Sequence, residues 1–121
     1  MNAKLVGYWS TTGLLSAAMF GSGAGKLAKT EPLLESMNHL GMPEYMLTIL
    51  GFWYVAAGLA LLAPGLPRLK EWAYAGVVFA MTGGSAAHMF SGDGVVDSAA
   101  TLILTCLAIA SWALRPDGRK L

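Results

Sequence analysis

His88 is the residue in this sequence best placed to do chemistry. It stands near the end of a 21-residue stretch between Glu71 and Asp93 that contains no carboxylate, lysine or arginine. Within that stretch it is the only group that titrates near neutrality. Gly76, Ala80, Gly84 and His88 recur at every fourth position, so a helix there would carry a small-residue groove along one face, leading to the imidazole. Other polar residues flank the apolar runs. Ser22 and Lys26 close the first run, Glu35 and His39 lie between the first and second, Asp93 sits in a Gly-Asp-Gly turn, and Asp97 opens the last. A neutral imidazole beside a lysine and carboxylates can hydrogen-bond a quinone carbonyl and pass its protons. The same group of residues can equally hold a lipid headgroup or a small polar solute. His88, Lys26, Asp97, Asp93, Ser22 and Glu35 are therefore the ligand-binding candidates, and none is assigned a catalytic role.

Plainer readings apply to several of them. Lys26 can snorkel to headgroups, Asp93 can shape its turn, Asp97 can favour a helix N-terminus, and His39 can be solvated. Metal chemistry has little foothold: 48 residues separate the two histidines, so no short metal-ligand spacing exists. Haem held by His39 and His88, or by His88 with Met89 or Met42, is the weaker cofactor reading beside a quinone. No serine, histidine and acid fall in an order that suggests a hydrolase. The glycines around residue 23 follow no strand, so helix packing explains them better than a phosphate loop. Cys106 is the single cysteine, which excludes an internal disulfide, and its place in an apolar run predicts a small buried hydrophobe.

Composition fixes the environment that must position these groups. The chain has 121 residues, 55% hydrophobic and 12% charged, with a net charge of +1. Soluble proteins carry about a quarter charged residues, and a charge this small offers no basic face for nucleic acid. An apolar helix of the length found around His88 spans about 30 Å, the thickness of a bilayer's hydrocarbon core. The expected fold is all-α: a four-transmembrane-helix bundle in one domain, residues 1–121, with spans near 5–25, 45–64, 72–91 and 96–114 and a short interfacial helix at 31–40.

The first run is read as a retained span despite the cleavage-like Gly21-Ser22-Gly23-Ala24. Its Gly13, Ala17, Gly21 and Gly25 predict close contact with another helix, inside the bundle or across a homodimer. Residues 31–40 alternate an apolar face of Leu33, Leu34, Met37 and Leu40 with a polar one; Thr30 is placed to cap them, and Gly41 and Pro43 to stop them. Trp53 and Tyr54 lie deeper than an aromatic belt, so their polar tips should find partners within the protein. Pro64 and Pro67 end the second run, and Arg68, Lys70 and Glu71 are expected in a charged turn. Asp97, Thr101 and Thr105 form a polar stripe that belongs against other helices. Six basic residues (Lys4, Arg68, Lys70, Arg115, Arg119, Lys120) would lie on one side and two (Lys26, Lys29) on the other. That bias predicts cytoplasmic termini, and it gathers the remaining polar residues at the outer end.

Four segments carry a family likeness: FGSGAGKL at Phe20–Leu27, HLGMPEYM at His39–Met46, LLAPGLPRLKEWAYAG at Leu61–Gly76, and the His88–Asp93 stretch. With them the chain resembles the DoxX-like family of small bacterial four-helix membrane proteins over nearly its whole length. The resemblance implies a bundle in the bacterial inner membrane and work near the quinone pool, because the wider group takes its name from a membrane subunit of a thiosulfate-quinone oxidoreductase. It also implies that Ser22, Lys26, His88 and Asp93 occupy the family's polar motif positions. Two positions depart, Tyr54 where relatives often have lysine and Ala80 where they often have aspartate. Candidate partners are membrane lipids, a redox partner protein and a second copy of the chain; nucleic acid is not among them.

Overall fold

Residue 2 starts the described chain with a helix cap: the Asn2 side chain accepts from the Leu5 amide at 2.8 Å, satisfying one of the donors a helix N-terminus leaves open. The computed structural model describes residues 2–92 and 95–119. Five helices follow in order: α1 (Ala3–Ala28), α2 (Glu31–Leu40), α3 (Tyr45–Leu62), α4 (Pro67–Phe90) and α5 (Val95–Ala113), then a 3-10 turn at Asp117–Arg119. No strand occurs among the described residues. The all-helical class and the short α2 are as expected. By length and composition α3 alone among the described residues is apolar enough to cross a membrane, with a shorter apolar helix at Ala99–Ala113.

The boundaries follow local chemistry. Lys29 ends α1 in the left-handed region at φ 53°, its amide bonded to Lys26. Thr30 then starts α2 through its carbonyl, which accepts from Leu33 and Leu34 at 3.0 Å; its side chain makes no capping bond. Gly41, at φ 74°, closes α2. Between α3 and α4 the chain turns through Gly65 and Leu66, both left-handed, and Pro67 opens α4, where its missing amide costs nothing. Arg68, Lys70 and Glu71 therefore lie in the first turns of α4 rather than in the predicted charged turn.

Helix α1 packs on α3 and α5, and α4 packs on α5, around Leu15, Met19, Leu61, Tyr74, Val77 and Ala108. The closest approach is between α1 and α3. A Cβ on Gly51 would lie 2.9 Å from the Gly23 carbonyl oxygen and 2.8 Å from Leu27 Cγ, and one on Gly23 would lie 3.0 Å from the Gly51 oxygen. The predicted stripe does not serve this contact. Gly13, Ala17 and Gly21 face outward, with open space around Gly13 and Gly21, and only Gly25 meets a neighbour, Leu33. Cys106 is also exposed rather than buried.

Polar residues do not gather at one end only. At the end formed by the start of α1, the start of α4 and the finish of α5 lies a buried hydroxyl cluster. Ser111 Oγ is 2.5 Å from Thr12 Oγ1 and 2.7 Å from the Tyr74 hydroxyl. Arg119 donates to the Tyr8 hydroxyl at 2.7 Å and to the carbonyls of Leu61, Leu62 and Ala63 at 3.0–3.1 Å. The fully buried Lys70 adds bonds to the Ala63 and Gly65 carbonyls. Burial, with the Arg119 charge beside it, lowers the pKa of Lys70. These two cations occupy the negative end of α3, which has no basic residue of its own in its last turn.

Candidate functional site

Lys26 is the sequence-predicted site residue whose surroundings are best resolved. A helical side chain leans toward the helix N-terminus and down over the preceding turn. The Lys26 stem accordingly runs back along α1, and its amine donates to Ser22 Oγ at 2.9 Å. The ammonium lies over the Tyr54 ring, 4.7 Å from the centroid. The described salt bridges join Lys29 to Glu44 at 3.4 Å and Arg115 to Glu71 at 3.3 Å. Among the described residues no carboxylate pairs with Lys26.

Tyr54 connects this cation to a cavity. A groove of about 350 Å³ runs between α3 and α4, with Tyr54, Ala57 and Ala60 on one wall and Ala73, Gly76 and Ala80 on the other, and Met19 of α1 at its back. It lies where the two helices pack most loosely, and small residues on both make the space. Trp53 and Trp72 also line it and are 62% and 67% exposed, so they form an outward-facing rim. The expectation that Trp53 would find a polar partner inside the protein is thus corrected: the residue faces out along the groove. Tyr54 and Ala80, one from each helix, both line this cavity.

The groove does not lead to His88. Each four-residue step along an α-helix turns about 40° past a full circle, so the Gly76–His88 series rotates about 120° around α4. Gly76 and Ala80 accordingly face α3, while Gly84 faces α5, where its Cβ would meet Thr101 Cγ2 at 3.4 Å. His88 is half-buried in the last turn of α4 and has a partner of its own. One turn below it, Ser85 Oγ bonds Thr101 Oγ1 at 2.6 Å. Thr105 bonds back to the Thr101 carbonyl at 2.8 Å. The predicted stripe therefore faces α4 at Thr101 and is self-satisfied at Thr105.

Of the other candidates, Glu35 is exposed on α2, as is His39. Asp97 falls in the first turn of α5, and its side chain lies outside the described residues, as does Asp93 altogether. The described residues contain no group of three histidine, cysteine or acidic side chains that could hold a metal. Sequence reasoning placed Ser22 and Lys26 at the end of one helix but missed Tyr54 as their neighbour, Trp72 and the groove. A signal existed in the unusual depth of Trp53 and Tyr54.

Residues 10–111 match the profile of the DoxX-like family. No curated protein and no solved structure matches the chain significantly. The match covers most of the chain, which therefore belongs to the DoxX-like family.

Proposed function

We propose that this DoxX-like protein crosses the bacterial inner membrane four times, with both termini cytoplasmic, and binds a single-chain amphipathic molecule in the groove between α3 and α4. The observation that carries the reading is the groove itself: an apolar slot rimmed by two tryptophans, with the Lys26 ammonium, Ser22 and the Tyr54 ring together beside it. Its volume of about 350 Å³ is at the small end of ligand pockets, about 300–1,000 Å³, and suits one hydrocarbon chain. Large apolar side chains on the molecule's exterior, among them Phe52, Phe79 and Phe90, support a lipid-facing surface. The six-to-two split of basic residues supports the orientation.

Of two classes of occupant, an isoprenoid quinone, which the family resemblance suggests, would join the protein to membrane redox metabolism and to a redox partner. An acyl lipid would instead make it a binding or transport subunit. Solvent extraction of the detergent-purified protein, followed by absorbance and mass measurement, separates these outcomes. The control is Gly76→Phe. Gly76 lines the groove and nothing lies within 4 Å of a Cβ built on it, so a side chain there has room to start into the groove. The expected result is a co-purifying single-chain lipid in the wild type that falls severalfold in Gly76→Phe at unchanged thermal stability. Wild-type lipid content in that variant removes the groove from the function.

A further inference from the structure

Resting on the groove reading, we infer that the occupant carries a negatively charged head, the carboxylate of a long-chain fatty acid, bound by Lys26. An ammonium held within a membrane protein needs a compensating charge or a full set of acceptors. Lys26 has neither among the described residues: one neutral hydroxyl accepts from it at 2.9 Å and one aromatic face lies 4.7 Å away. An ammonium has three donors, and two of them meet no acceptor among the described residues. A carboxylate supplies both the charge and the acceptors, and charge-assisted bonds of this kind are about twice as strong as neutral ones. The course of the Lys26 stem back along α1 brings the amine to Tyr54, a groove residue. A fatty acid's single chain then fits the apolar walls between Trp53 and Trp72, and a neutral head would leave the ammonium uncompensated.

Trp53 and Trp72 give the test its reporter. Detergent-purified protein is titrated with dibrominated stearate, whose bromines quench a tryptophan on contact, and in parallel with its methyl ester, at neutral pH where a carboxylic acid is ionised. The expected result is saturable quenching by the acid, with the ester at least about tenfold weaker. A Trp53→Phe, Trp72→Phe double variant should lose the saturable component, which places the chain in the groove. Lys26→Met should reduce the preference for acid over ester to near unity while leaving ester binding unchanged, and Lys26→Arg should retain the preference. Equal affinity for acid and ester, or a preference that survives Lys26→Met, overturns the charged-head inference and leaves the groove reading standing. Absence of saturable quenching by either probe overturns both.

Discussion

Arg119 reaches farther across the structure than any residue singled out from the sequence. Its Nε bonds the Tyr8 hydroxyl, its Nη2 meets three carbonyls at the end of α3, and its guanidinium lies 4.8 Å from the Trp9 ring centroid. A planar fork carries donors on separate nitrogens that can meet acceptors set apart on two elements, and a single ammonium nitrogen does not span them. Arg119→Lys should therefore destabilise the protein nearly as much as Arg119→Ala, with about 1.5–3 kcal/mol lost for bonds to a charged group. Thermal unfolding in detergent checks this; a lysine variant with wild-type stability refutes the bridging role. In the sequence Arg119 is one of several terminal basic residues and was legible only as a topology signal. Its partners lie 56 to 111 positions away, and no spacing rule connects residues so distant. Lys26 and Ser22 were legible because four residues on a helix is a contact distance.

Among the elements, the α1–α3 pair shows what helix periodicity can and cannot say. Counting small residues at spacings of four identified Gly13, Ala17 and Gly21, which face outward; Gly23, two positions from the stripe's Gly21, makes the backbone contact with Gly51. Both faces of α1 carry small residues, so the pattern alone could not choose between them. The choice came from α3, where Gly51 and Gly58 lie seven apart on one face and meet Gly23 and the Phe20 ring. Gly51→Ala should destabilise the bundle by about 1–3 kcal/mol, because its Cβ would press on backbone atoms that cannot rotate away. Gly21→Ala, with nothing within 4 Å, should be neutral in the same thermal assay. The reverse order of stabilities would show that the outward stripe, not the Gly23–Gly51 crossing, is the tight contact. The boundary between α3 and α4 was harder to read for a related reason. Proline was taken to mark an ending, and Pro67 marks a beginning.

At the scale of the whole molecule, the sequence made the helical class plain through its long apolar runs, while the asymmetry between the two ends was hidden. One end is tied by the Thr12, Tyr74, Ser111 and Arg119 bonds, whose hydroxyl members are individually ordinary in an apolar helix. The other end holds the Lys29–Glu44 pair at 3.4 Å and the close of α4 at His88. The proposed orientation puts the tied end in the cytoplasm, since the basic residues of the α3–α4 turn region and of the C-terminal segment lie there. Single cysteines at Gly92 and Gly118 test it. The exposed native Cys106 must first be replaced by serine, because it would itself react if reagent reached it. In that background Gly92→Cys should be labelled by an impermeant thiol reagent on intact spheroplasts, while Gly118→Cys should be labelled only after lysis. Gly92 suits the purpose, being exposed just past α4, although its φ of 84° strains any side chain, so folding of that variant is confirmed by its extraction as a monodisperse species. If α5 did not cross, the two sites would lie on the same side of the membrane, and labelling of both before lysis would then replace the four-span arrangement. Labelling of Gly118→Cys alone would keep α5 as a span and invert the orientation.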